Sequence, residues 1–314
     1  MKPTKSIIIA LIASSAFVLQ SCEKTFDDYN VSEISTDFQA LAKPAAGKGY
    51  QIHIAPFPIQ AKYEREFYVR KMLGNTEEVY LNGFEMKARP GTHHMIAYSF
   101  GKDDVLPETD VMYDQNMPNN RLAFRSAKST GNPLFQSPQA NYKFNLPAGY
   151  ALTMAPNTSF LMNSHYFNTT DKTRFGEMYI NFYTTPKSNV KQLLDVEYLS
   201  PEKITLPAGK KTTMVTDFIM EKETVIPMML SHYHKRGERF EVRIKGGSRN
   251  GELIYESEYY DDPKVATFSP ALVLKAGEGL TTTVTYNNTT NRTLTFGVTS
   301  EDEMNIVIIF KHNR

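Results

Sequence analysis

Five of the seven histidines fall into patterns that suit metal coordination. His93 and His94 are adjacent, and His232 and His234 flank Tyr233. A His-x-His pair on a β-strand presents both imidazoles on one face, because side chains alternate with a period of two. Two rings placed in this way can bind the same metal ion.

The adjacent pair requires a different local structure. In a regular strand, neighbouring side chains point to opposite faces, so His93 and His94 can share a metal only where the strand is twisted, bulged or ends. Pro90 and Gly91 directly precede the pair and predict such an irregularity.

A candidate third ligand follows each pair. His165 follows His94, and Met304 follows His234, after intervals that differ by one residue. Three imidazoles suit copper or zinc, whereas two imidazoles with a thioether favour copper, because soft sulfur prefers Cu(I). Two isolated histidines are assigned no role: His53 and His312.

The elements that must position these residues are predicted to be β-strands. Apolar and polar residues alternate over 50–54, 67–72, 177–183 and 240–244, and Gly, Pro and Asn separate the segments. This period, with many β-branched and aromatic residues, is typical of half-buried strands. The long irregular segment 103–133 is expected to be functional or mobile.

A weak internal repetition runs along the chain. The tetrapeptide Leu-Pro-Ala-Gly occurs at 146–149 and 206–209, and Ser-His-Tyr follows at 164–166 and 231–233. The repetition favours two related β-sandwich domains, although Pro-Gly turns before strands resemble one another in unrelated segments.

The strand pattern is interrupted between residues 187 and 200. We therefore predict a first domain over 46–195 and a second over 196–314, each contributing one set of ligands. The formal net charge is +1, so no electrostatic argument favours a nucleic-acid partner. We expect a monomer.

The N-terminus carries an export signal. Lys2 and Lys5 precede a short apolar stretch, which ends in Leu-Gln-Ser-Cys22. This pattern resembles a bacterial lipobox and predicts a signal peptide over 1–22 with lipidation of Cys22. The alternative is an ordinary secretory signal beside a stray cysteine.

The lipobox predicts an outer-membrane lipoprotein in the cell envelope of a Gram-negative bacterium. A polar tether over 23–45 would connect the anchor in the membrane to the first domain. Cys22 is the only cysteine, so the chain forms no internal disulfide although that compartment permits them.

Four segments, taken together, resemble the copper type II, ascorbate-dependent monooxygenases. They are Gly-Thr-His-His-Met-Ile at 91–96, His-Tyr at 165–166, His-Tyr-His at 232–234 and the segment 296–304 that ends in Asp-Glu-Met. They occur in the family's order and at similar intervals. The family includes peptidylglycine α-hydroxylating monooxygenase and dopamine β-monooxygenase.

The resemblance implies an all-β fold of two jelly-roll β-sandwich domains that face each other across a cleft. It implies two copper ions per chain. The ligands of the electron-supplying ion would be His93, His94 and His165. The catalytic ligands, at the ion where O2 reacts, would be His232, His234 and Met304. The reaction would hydroxylate an activated C–H of a small or surface-exposed organic substrate, with ascorbate as the family's reductant.

The chain departs from the family after the methionine. Peptide-hydroxylating members carry Asn and Tyr at alternate positions there, which help to bind the substrate's carboxylate. Ile306 and Ile308 occupy those positions here, which argues against a peptidylglycine substrate. Animal members are also braced by disulfides, which this chain lacks.

Two other functions fit the same residues. One is a non-catalytic surface lipoprotein on the same fold that binds copper or a glycan. The other is a zinc hydrolase that uses the three-histidine site with Glu238 or Glu303 as base, although that reading leaves Met304 unexplained.

Overall fold

Strands form where apolar and polar side chains alternate, and they account for more than half of the described residues. The computed structural model describes residues 37–101, 104–114, 132–201, 203–297 and 301–314. Within those ranges there is no α-helix, only a 3₁₀ turn at Lys187–Asn189. None of the described segments forms a helix long and apolar enough to cross a membrane.

Several predicted features lie outside the described residues and stay predictions: the signal peptide, Cys22, most of the tether and most of the segment 103–133. The strands in chain order are β1 (Gly49–Ile59), β2 (Tyr63–Met72), β3 (Val79–Ala88), β4 (Thr92–Ser99), β5 (Met112–Asp114), β6 (Asn132–Ser137), β7 (Asn141–Asn145), β8 (Tyr150–Met154), β9 (Ser159–Asn168), β10 (Arg174–Thr184), β11 (Gln192–Leu193), β12 (Asp195–Leu199), β13 (Thr205–Leu206), β14 (Lys210–Ile219), β15 (Thr224–His232), β16 (Gly237–Lys245), β17 (Leu253–Ser257), β18 (Ala266–Leu274), β19 (Gly279–Asn288), β20 (Leu294–Thr295) and β21 (Ile306–Asn313).

Two β-sandwiches follow each other along the chain. In the first, one sheet has the order β1-β10-β3-β8 and the other contains β2-β9-β4-β6. In the second, the sheets have the orders β12-β21-β15-β18 and β14-β19-β16-β17. We call the eight strands in these two orders the main strands of each sandwich and number them along the chain. In both sandwiches the first, eighth, third and sixth main strands form one sheet, and the remaining four form the other. This is jelly-roll connectivity, so the predicted fold class is confirmed.

The sheet that contains β15 and β21 is buried on both faces. Met229 and Ile309 lie in the core of the second sandwich. Met228 and Phe310, on the opposite face, pack with the first sandwich in one continuous apolar cluster. The Phe144 and Phe310 rings meet there at 6.0 Å between centroids. Long apolar runs are typical of strands buried on both faces.

The chain passes from the first sandwich to the second between β11, which pairs with β8, and β12, which pairs with β21. Thr36–Arg314 nevertheless forms one compact unit. Apolar side chains therefore fill part of the junction between the sandwiches, and a cavity occupies another part.

The repeated Ser-His-Tyr does not mark equivalent positions. His165 lies on β9, the seventh main strand of its sandwich, whereas His232 ends β15, the third main strand of the other. The equivalent repeat is Asn-Thr-Thr at 168–170 and 288–290, at the ends of β9 and β19. Each asparagine donates to three main-chain carbonyls and accepts from the threonine two residues on.

Candidate metal centre

A bulge in β4 brings the first pair of histidines to one side of the sheet. His94 lies opposite His165 on β9, and the register shifts between Thr92 and His94, which leaves His93 as an extra residue. Gly91 has φ of 101°, and a Cβ there would lie 2.9 Å from the carbonyl oxygen of Phe167. The backbone therefore requires glycine at the start of this bulge.

Three imidazoles converge at this bulge. One ring nitrogen from each of His93, His94 and His165 lies within 4.8 Å of the other two. The Nδ1 atoms of His93 and His94 are 3.1 Å apart. A separation of 3.1 Å between two nitrogens is consistent with each lying about 2.0–2.1 Å from the same metal ion.

The asparagine on β9 orients His94. The Nδ2 of Asn163 donates to Glu66 at 3.0 Å, and its Oδ1 lies 3.2 Å from Nε2 of His94. Since that amide oxygen can only accept, His94 carries its proton on Nε2. Its unprotonated Nδ1 therefore faces His93.

Four of these imidazoles, those of His93, His94, His165 and His232, are uncharged at neutral pH. Burial, reinforced by the neighbouring imidazoles, lowers the pKa of His93 and His165 to about 4 and that of His232 to about 3. The same causes hold the pKa of His94 well below its usual range. Metals bind the neutral ring, so these side chains are already in the ligating form.

The second pair lies at the end of β15, in the opposite sandwich. The His232 and His234 rings are 5.2 Å apart and nearly perpendicular. Tyr233 points the other way, stacks on Phe240 and donates to the carbonyl of Ser257 at 3.2 Å. The alternation predicted from the sequence therefore turns both imidazoles to the same side.

The segment before β21 holds His234 in place. The carbonyl oxygen of Asp302 lies 2.9 Å from Nδ1 of His234, so Nδ1 is the donor and Nε2 is the unprotonated nitrogen that a metal would bind. Glu303 is fully buried and accepts from the backbone N–H groups of His234 at 3.1 Å and Arg236 at 2.8 Å. Burial raises the pKa of Glu303 to about 7, against the effect of these N–H groups.

Met304 adjoins this clamp. His232 lies opposite Ile306, and the same register continued by two residues would bring His234 opposite Met304. The carbonyl oxygen of Met304 accepts from the hydroxyl of Tyr286 at 2.6 Å. Its half-buried side chain packs against the apolar cluster at the junction. The backbone thus brings the thioether residue beside the second pair.

All five histidines line one cavity of about 270 Å³. Its other walls include Glu64, Phe167, Lys235, Tyr260 and Glu301, so both sandwiches contribute. A protonated His234 would lower the pKa of both His93 and His165. The two groups of imidazoles therefore face each other inside the same chamber.

Sequence reasoning missed one carboxylate in this chamber. Oε1 of Glu64, on β2, lies 2.5 Å from Nε2 of His165. The alternation Glu64-Arg65-Glu66 puts two acidic side chains on one face of β2, which was an available signal. Recognising their target required the pairing of β2 with β9.

The remaining candidates lie elsewhere. Neither Glu303, which is turned to backbone N–H groups, nor Glu238, which pairs with Lys211, lines the cavity. The base suggested for a zinc hydrolase is therefore wrong at both positions. His53 stacks on Tyr179 with centroids 4.1 Å apart, and His312 lies near Tyr150, in keeping with no role in the site.

Comparisons with known proteins show likeness of fold alone. No family model matches the chain, and no curated protein matches it. The crystal structure of the STIV MCP is 7% identical over 84% of this chain and 96% of that chain, with a TM-score of 0.34. The cryo-EM structure of the Sputnik virophage is 8% identical over 91% of this chain and 90% of that one, with a TM-score of 0.25. Likeness at this level carries no argument about function.

Proposed function

We propose that this chain is a copper-dependent monooxygenase that hydroxylates an activated C–H of a small organic molecule with O2. One observation carries the proposal: five imidazoles from two sandwiches line a single chamber in two groups. A methionine adjoins one of these groups.

The donor sets suit copper. The group of His93, His94 and His165 supplies three neutral nitrogens, which copper and zinc both accept. The segment 302–306 brings the backbone of Met304 close to His232 and His234, and its thioether, although not among the side chains that line the chamber, would as a ligand favour copper over zinc. Copper bound at both groups would supply the activation of O2 and the one-electron chemistry that C–H hydroxylation requires.

The reaction is balanced by an external reductant. One oxygen atom of O2 enters the C–H bond and the other leaves as water, which consumes two electrons and two protons. Ascorbate is the reductant of the family that the sequence resembles.

The chamber's own side chains determine what can enter. Its volume of about 270 Å³ lies near the lower end of the range for small-molecule sites, about 300–1,000 Å³. Phe167 and Tyr260 offer apolar surface to a substrate. Ile306 and Ile308 are buried in the junction and do not line the chamber, so they offer nothing to a substrate carboxylate.

The test is metal stoichiometry followed by turnover. We expect about two coppers per chain by elemental analysis, and about one in either His165→Ala or His232→Ala. The control His53→Ala should retain two, because His53 lies outside the chamber. Reductant-dependent O2 uptake should then respond to some member of a panel of small organic substrates.

Other results would point elsewhere. Two coppers without O2 uptake would favour a copper-sequestering lipoprotein. Failure to bind copper, or glycan binding that survives both substitutions, would contradict the proposal.

A further inference from the structure

The carboxylate of Glu64 is in direct contact with His165, a candidate ligand of the first group. Glu64 lies opposite Phe167 in the pairing of β2 with β9, and its side chain turns into the chamber. It is about half exposed, whereas His165 is buried. Glu64 therefore reaches in from the rim to the inner imidazole.

A metal-bound histidine uses one ring nitrogen for the metal and commonly donates the other N–H to an acceptor. Two members of the first group have such an acceptor on Nε2. The acceptor is the neutral amide of Asn163 for His94 and the anionic carboxylate of Glu64 for His165. An acceptor on Nε2 leaves Nδ1 of each ring for the metal, and for His94 this agrees with its Nδ1 lying 3.1 Å from that of His93.

The corresponding acceptor in the second group is neutral. His234 donates from Nδ1 to the main-chain carbonyl of Asp302. The nearby cation of the chamber, Lys235, is paired with Glu301. On the first-sandwich side, by contrast, His165 has an anionic partner.

We propose that Glu64 is a positioning residue of the first metal site that fixes His165 and lowers the reduction potential of copper bound there. The inference rests on the copper binding proposed above but not on any substrate. A negative charge on the imidazole's partner makes the ring a stronger donor, which stabilises the cupric state relative to the cuprous state. The thioether beside the second group has the opposite preference.

This asymmetry gives electron transfer a direction. With copper bound at both groups, the lower potential at the first group would favour transfer of one electron from its cuprous ion to the second group, and the external reductant would return that electron to the first group. Glu64 contributes to this direction through its hydrogen bond with His165.

The test compares Glu64→Gln with wild type after copper loading. Glutamine keeps the shape and an acceptor oxygen but removes the charge. The His232→Ala background isolates the first group, and redox titration followed by cupric EPR measures its midpoint potential. The matched control is Glu85→Gln, whose carboxylate binds Lys143 and Tyr183 away from the chamber.

We expect a higher midpoint potential and cupric binding weakened by about 10-fold in Glu64→Gln, as for other partners of metal-bound histidine. Glu64→Ala should weaken it further, and Glu85→Gln should match wild type. An unchanged or lowered potential in Glu64→Gln, with copper bound normally by wild type, overturns the role of Glu64 alone. Absence of copper binding by wild type overturns both this role and the proposed function.

Discussion

Replacing Glu303 by glutamine tests whether a buried carboxylate holds the second pair of histidines in place. Glu303 is fully buried, and its two oxygens accept the backbone N–H groups of His234 and Arg236. Glutamine offers one oxygen and one NH2, so one of those N–H groups would face another donor. A buried donor without an acceptor costs about 1–3 kcal/mol.

We therefore expect Glu303→Gln to lower the free energy of unfolding by about 2 kcal/mol, measured by urea denaturation followed by circular dichroism. Glu303→Ala leaves both N–H groups without an acceptor and should lower the free energy of unfolding by about 2–6 kcal/mol. Glu301→Gln is the matched control, because Glu301 is mostly exposed and pairs with Lys235, and its loss should stay under about 1 kcal/mol.

The same substitution should affect metal binding selectively. Because Glu303 anchors the backbone of His234, Glu303→Gln should weaken the second copper and leave the first unchanged. Equal stability of Glu303→Gln and wild type, or an equal loss in Glu301→Gln, would refute the reasoning that this carboxylate is a structural clamp.

Two further predictions concern stability. Burial lowers the pKa of His93 and His165 to about 4 from an ordinary value of 6.5, so below pH 6.5 the unfolded chain takes up protons that the folded chain does not. As the pH falls from 6.5 to about 4, the free energy of unfolding of the metal-free protein should decrease by up to about 1.4 kcal/mol per pH unit for each such histidine. In His165→Gln, the melting temperature should depend less steeply on pH. Phe310→Ala should lower the free energy of unfolding by about 3–5 kcal/mol, because Phe310 is buried at the junction. The two sandwiches should still unfold in one transition. Two separate transitions would contradict a shared core.

Local periodicity was sufficient for the histidine pairs. Alternation on a strand places His232 and His234 on one face without knowledge of any distant contact. The adjacent pair needed one more inference, the bulge signalled by Pro90 and Gly91, and the register shift lies at His93. In both cases the relevant geometry extends over a few neighbouring residues.

The partners of the imidazoles could not be predicted in this way. Asn163 and Glu64 contact His94 and His165 only because three strands far apart in sequence pair in one register. A register shift of one residue would turn each of these side chains to the other face. Sequence alone does not specify that register.

The repeated Ser-His-Tyr is a poor guide to structural equivalence, whereas the apolar stretch of β21 is informative when it is read as a whole. Ser-His-Tyr recurs on strands that are not equivalent, whereas Asn168 and Asn288 repeat both their position and their hydrogen bonds. By resemblance to the family, Ile306 and Ile308 occupy substrate-binding positions. Within the continuous apolar stretch of β21, they signal a strand buried on both faces.

The shared apolar junction restricts how a substrate can reach the chamber. Swinging the two sandwiches apart would expose the inner faces of Met228, Leu230, Ile308 and Phe310 to water. At about 1.5–3 kcal/mol for each side chain, such a hinge motion would cost about 6–12 kcal/mol. A substrate would instead enter past the rim of the chamber, where the side chains of Glu64, Lys235, Tyr260 and Glu301 can change rotamer within nanoseconds. Under the proposed function, selectivity for substrates would therefore depend on side-chain motion at the entrance of the chamber and not on movement of the two sandwiches.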